Sequence, residues 1–107
     1  MLITTTESIS NHKVIKTYGI VRGSSVRARN IGKDILAIFR MIAGGEVSEY
    51  SKLLNESRDQ ALQRMVDSAT DLGANAVICT RIETSTVASG AAEILCYGTA
   101  VKIELEN

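Results

Sequence analysis

Cys79 and Cys96 are the side chains best suited to chemistry in this 107-residue sequence. Thiolates are soft ligands, so the pair could hold a soft or borderline ion such as Cu(I), or supply half of a zinc site that a second subunit completes. Their spacing matches no zinc or redox motif, and an isolated cysteine commonly packs as a small hydrophobe. His12 is the single histidine and lies in a polar run, TESISNHK, so it needs partners from elsewhere to become a ligand. Met41 and Met65 fall on apolar helix faces and read as packing.

Arg22, Arg27, Arg29 and Lys33 form the one local positive cluster. Such a stripe suits phosphate, nucleotide or RNA backbone, with a solvated or salt-bridged face as the alternative. Catalysis has little to build on. No GxSxG, second histidine or spaced acid–base pair is present. Gly44–Gly45 is not followed by the Lys-Ser/Thr of a phosphate loop. We expect no enzyme.

These residues must be positioned by a long helix and the strand that follows it. Tyr50, Leu53, Leu54, Ala61, Leu62, Met65, Val66, Ala69 and Leu72 recur at helical spacing and line one face. Ser48 is a plausible N-cap, and Gly73 fits the left-handed position after the last turn. Beyond Gly73 the period switches to two, with Ala76, Ile78 and Ile82 on one side of a strand over 75–83 and Val77, Cys79, Arg81 and Glu83 on the other. Glu93–Glu104 alternates again, with Leu95, Tyr97, Val101, Ile103 and Leu105 on one face, so the two runs form an antiparallel hairpin. The apolar faces of the hairpin, Ile78 and Ile82 against Leu95 and Tyr97, put both sulfurs on the same, non-helix face of the sheet. Arg81, Glu83, Lys102 and Glu104 then lie beside them.

Residues 2–5 read as a short strand and 14–29 as a longer one with one or two kinks, in which Gly19 interrupts the run, as a bulge or a close backbone approach would, and Gly23 closes it. Residues 33–42 are apolar nearly all round. A helix apolar on every side must be covered on every side. Its burial is worth about 1.5–3 kcal/mol per large side chain, which places it in a subunit interface. The expected fold is a single α+β domain over 1–107: a two-layer arrangement in which a small antiparallel sheet carries one long helix on one face, with the short apolar helix at the interface. The uncovered sheet face calls for an oligomer.

Composition narrows the partners. Aromatic residues are only 4% of the chain, so the core must be aliphatic. Formal net charge is zero, which removes the bulk electrostatic argument for nucleic acid or an anionic membrane. No apolar run approaches the roughly 20 residues that span a bilayer. MLITTTESIS lacks the pattern of an export signal. A cytoplasmic protein with reduced cysteines is expected.

The motifs TTTESI at 4–9, YGIVRG at 18–23, GG at 44–45, ESRDQAL at 56–62, LGANAV at 72–77 and YGTAVKI at 97–103 fall in an order that resembles the YbjQ family, small bacterial proteins labelled heavy-metal-binding. The resemblance covers nearly the whole chain. It implies a β-α-β-β subunit of the dodecin-like type, assembled as a ring, a homopentamer. Cys79 and Cys96 stand where the family commonly has small or aliphatic residues, so thiol chemistry would be particular to this chain. A site on a five-fold axis offers five equivalent ligands, which suits neither tetrahedral zinc nor linear Cu(I), so a metal would sit between neighbouring subunits. The rival expectation is a ring that binds a small molecule or anion without metal.

Overall fold

The computed structural model describes residues 1–27, 47–88 and 91–107. The expected apolar helix at 33–42, the Gly44–Gly45 joint, Arg29 and Lys33 lie outside the described residues. Four strands and one helix remain: β1 (Leu2–Ile3), β2 (His12–Arg27), α1 (Val47–Leu72), β3 (Ala76–Ala88) and β4 (Ala91–Leu105).

The strands form one sheet in the order β1-β3-β4-β2. β4 pairs antiparallel with β3, as the hairpin pattern predicts, and antiparallel with β2 on its other side. β1 pairs parallel with β3, through Leu2↔Ala76 and Ile3↔Val77, so the sheet is mixed where an antiparallel one was expected. The cause is the segment after β1, which carries the chain from one edge of the sheet to the other. There Asn11 takes a left-handed φ of 61° and accepts the Glu106 amide at 2.8 Å, just beyond the end of β4. β2 therefore starts at His12, opposite Leu105, earlier than the polarity of the run suggests.

α1 ends as its sequence predicts. Gly73 has φ +92°; its amide donates to Thr70 O at 3.0 Å, and the Ala74 amide donates to Ala69 O at 3.1 Å. These are the two bonds of a Schellman cap. Asn75 then locks the turn to β4: its side-chain amide donates to Ile103 O and accepts from Ile103 N, at 3.0 and 2.8 Å.

The helix-facing layer is built of small residues around Met65. Ala61, Met65 and Ala69 are fully buried and Ser57 nearly so, spaced four apart along α1. They meet Val21, Gly23 and Ser25 of β2 and Cys96 and Ala100 of β4. A Cβ on Gly23 would overlap the backbone of Ala61 and Met65, so helix and strand touch main chain to main chain. Ser25 is buried with its hydroxyl donating to Gln60 Oε1 at 2.8 Å. Gly23 lies within β2 rather than closing it.

This close packing overturns the expected faces of the hairpin. Strand partners share a face, and the register joins Cys96 to Gly23 and Ile82, and Ala100 to Val77. Cys96 therefore faces α1, while Leu95 and Tyr97 face away. By alternation Lys102 and Glu104 share the side of Cys96, whereas Arg81 and Glu83, opposite Tyr97 and Leu95, lie on the open face. β3 keeps no single alternation, because its register with β4 shifts between Ile78 and Arg81. The extra residue there reverses which side later residues face. Ile78 and Val77 fall on the sides opposite to those expected, and Ile82 shares the helix side but is 48% exposed. Leu72, at the last helical residue, is also 48% exposed and adds little to the core.

Candidate functional site

The register shift in β3 makes a bulge at Cys79–Thr80, opposite Gly98. Cys79 has φ 55°, a left-handed conformation that costs a residue with a Cβ about 1–2 kcal/mol. The N-terminal segment stabilises it. Thr4 donates its amide to Val77 O and accepts that of Thr80, both at 2.9 Å, and Thr6 O accepts the Cys79 amide at 3.0 Å. Arg81 Nη1 donates to Thr5 O at 3.0 Å and to Thr80 O at 2.9 Å. Thr4–Thr6 thus carry the parallel pairing beyond β1 and satisfy the bulge. Cys79 is partly exposed.

Thr80 is 6% exposed and its hydroxyl has no hydrogen-bond partner. It packs in the space left by Gly98, where an added Cβ would stand 2.7 Å from Val77 Cγ1 and 3.2 Å from Thr80 Oγ1. On the open face, Tyr97 donates its hydroxyl to Glu83 Oε1 at 3.1 Å. That bond, and then the Glu83 charge, push the phenol pKa upward.

Cys96 stands apart from this bulge. It is fully buried, opposite Ile82, and its Sγ lies 3.6 Å from Met65 Sδ. Burial pushes the thiol pKa up. The partner of Cys96 in space is thus a thioether from α1, a residue whose sequence position indicates only packing. His12 is half-buried, with Nδ1 2.7 Å from Ser10 O; a carbonyl partner places the proton on Nδ1. Among the described residues no three His, Cys, Asp or Glu side chains converge as a metal would require.

A second site lies along β2. Arg22, Ser24, Arg64, Ser68, Glu93 and Leu95 line a groove of about 570 Å³. Arg22 belongs to the cationic cluster visible in the sequence; Arg27 ends β2 opposite Ala92, and Arg29 is outside the described residues. Arg64 comes from the polar face of α1 and donates from Nη1 to Ser24 O. Ser68 follows one turn later. Nothing in the sequence signals that these helical residues meet β2, because the contact depends on the close approach at Gly23.

The described residues form a one-helix, four-strand α+β domain, with a left-handed residue in a bulge at one place and a groove lined by two arginines at another. The chain belongs to the YbjQ family, whose model carries the description "Putative heavy-metal-binding" and matches residues 1–104. It is 50% identical over 104 residues to a UPF0145 protein of Dehalococcoides mccartyi, covering 97% of this chain and all of that one. It is 52% identical over 103 residues to a UPF0145 protein of Methanosarcina acetivorans, covering 96% and 97%. The latter is archaeal, so the family is not confined to bacteria. A crystal structure of a Pediococcus pentosaceus protein of unknown function from the DUF74 family superimposes with a TM-score of 0.61 at 19% identity. That superposition covers 97% of this chain and 98% of the other, and the likeness is one of fold.

Proposed function

We propose that the protein is the subunit of a cytoplasmic homo-oligomeric ring, a pentamer, that binds a ligand and catalyses no reaction. The observation that carries the assembly is that, among the described residues, a helix covers the sheet on one side only. α1 covers one face, and the other presents Ile20, 81% exposed, opposite Thr99, with half-buried Ile78, Leu95 and Tyr97 nearby. An apolar sheet face of this kind is normally covered by another layer, and a second copy of the chain supplies one by symmetry. The ring size follows from the dodecin-like resemblance. Zero net charge, and the fact that no described helix is long and apolar enough to cross a membrane, favour self-association over nucleic acid or lipid. Light scattering after size exclusion, repeated with Ile20→Lys, tests the assembly. A native chain that elutes as a monomer at micromolar concentration refutes it.

A soft-metal role is the second reading, favoured by the Cys96–Met65 sulfur contact and the family description. Two sulfurs suit a low-coordinate soft ion such as Cu(I). They do not provide the four donors of structural zinc. Binding would release the Cys96 proton. Titration with Cu(I), comparing the native chain with Cys96→Ser and Met65→Leu, tests it. Unchanged stoichiometry in both variants removes these sulfurs as ligands.

A further inference from the structure

We infer that the edge of β3 over residues 82–86 is an interaction surface for a second copy of this chain, which pairs antiparallel with the same edge about a two-fold axis. The contact uses the edge of the sheet and not the open face assigned above to the ring, so it does not rest on that reading.

β3 has a neighbour on both sides along only part of its length. β4 lies along one side. On the other, Leu2 and Ile3 pair with Ala76 and Val77, and Thr4 and Thr6 carry that pairing on to the amides of Cys79 and Thr80. Arg81 closes it with its bonds to Thr5 O and Thr80 O. From Ile82 onward the backbone has no partner on that side among the described residues. α1 leaves this stretch bare as well: it packs chiefly on β2 and β4, and Ile82, on the helix side, stays exposed.

The two long edges of the sheet are not alike. Natural sheets protect an edge with bulges and lysines or by covering it. β2 has register shifts at Val14/Lys16 and Thr17/Gly19, carries Lys13 and Lys16, and has Arg64 laid on it, donating to Ser24 O. Residues 82–86 of β3 run without a register shift, and their sequence, IETST, has no lysine and no proline. Isoleucine and threonine suit a strand, and an unprotected edge of this kind is a template for another strand. Head-to-tail pairing would need the protected β2 edge, which leaves β3 against β3, an isologous contact.

Face and charge set the register. Cross-strand partners share a face, so even-numbered residues meet even-numbered ones. The regular stretch ends at the shift between Thr86 and Ala88, and its centre is Thr84. With the axis there, Thr84 meets Thr84 of the partner subunit, Glu83 meets Ser85 of the partner subunit, and Ile82 stands opposite position 86. A Thr–Thr pair is favourable. Centring on Glu83 instead would set two carboxylates directly opposite, which is destabilising.

Cross-linking tests the register. Directly opposed Cα atoms of an antiparallel pair stand about 4.5–5.5 Å apart, within disulfide reach. In a chain carrying Cys79→Ala, Thr84→Cys should link to its own copy under mild oxidation and Ser85→Cys should not. A mixture of Glu83→Cys and Ser85→Cys chains should give the mixed disulfide. The Thr84→Cys link should persist when Ile20→Lys is added to break the proposed ring, so the failure of either reading is told apart from that of the other. By analytical ultracentrifugation Thr84→Lys, at an exposed position, should raise the dissociation constant of the pair about fivefold, and mixing it with Thr84→Glu should restore association. No disulfide from Thr84→Cys, or equal cross-linking at 84 and 85, overturns the inference, as does association that Thr84→Lys leaves unchanged.

Discussion

Gly23 of β2 lies directly against the backbone of Met65 in α1. A Cβ at residue 23 would overlap the Met65 amide nitrogen and the Ala61 carbonyl oxygen and stand 2.8 Å from the Arg64 carbonyl carbon. None of these atoms is the movable end of a side chain. The same approach brings Met65 Sδ to Cys96 and Arg64 to Ser24, so the spacing of strand and helix at Gly23 sets both candidate sites.

Gly23→Ala should therefore destabilise the fold by about 3 kcal/mol, the upper end for overpacking, measured by chemical denaturation. Gly19 is the control: its φ is +116° but a Cβ there meets nothing within 4 Å, so its alanine variant costs backbone strain without moving α1. If Gly23→Ala retains native stability, the helix is not seated on the strand as described.

The helix and its glycine cap were legible in the sequence because both are local. Periodicity marks α1, and the Gly73 turn depends on neighbouring residues alone. The hairpin and its strands were legible for the same reason. Its faces were not, because assigning Leu95 and Tyr97 to the core assumes that the largest aliphatic side chains fill it. Here the close approach at Gly23 places Cys96, Gly98 and Ala100 of β4 on the helix side beside Met65, Val21 and Val77, and Leu95 and Tyr97 fall on the open face. The bulge at Cys79 then reverses the alternation, and a one-residue insertion leaves no compositional trace when the left-handed residue is not glycine. Arg22 was identifiable as cationic, but that Arg64, Ser68 and Glu93 line the same groove depends on tertiary packing.

Cys79 predicts an ordered series of stabilities. Its left-handed conformation is best tolerated by glycine and asparagine and least by a β-branched residue. Cys79→Asn should be neutral or stabilising by up to about 1 kcal/mol, and Cys79→Val should cost about 2 kcal/mol. Thermal denaturation of the two variants side by side reads the difference. A valine variant as stable as the asparagine variant shows that residue 79 is not held at positive φ.

Thr80 carries a buried hydroxyl without a partner. Such a group loses its hydration without compensation, at a cost of about 1–3 kcal/mol. Replacing it by valine keeps the branched shape and removes the polar atom. Thr80→Val should raise stability by about 1 kcal/mol in urea denaturation. A loss of similar size would mean that the hydroxyl has a bound partner, and would redirect attention to the bulge as a ligand site.

The two thiols should separate by reactivity and by their effect on pH dependence. Cys79 is partly exposed and Cys96 fully buried, so a native chain treated with Ellman's reagent should lose one thiol quickly and the second only on unfolding. Burial raises the Cys96 pKa above the ordinary value of 9.0. Above that value the unfolded chain gives up the proton while the folded chain keeps it, so the unfolded state binds fewer protons and stability falls as pH rises. Below it both states are protonated and this contribution is constant. Denaturation midpoints should therefore be flat through neutral pH for this group and decline from about pH 9 upward. Cys96→Ala should flatten that alkaline decline relative to the native chain, with Cys79→Ala as the reference. Equal alkaline slopes for the native chain and Cys96→Ala, or two thiols that react at one rate in the folded protein, would place Cys96 outside the buried layer against Met65.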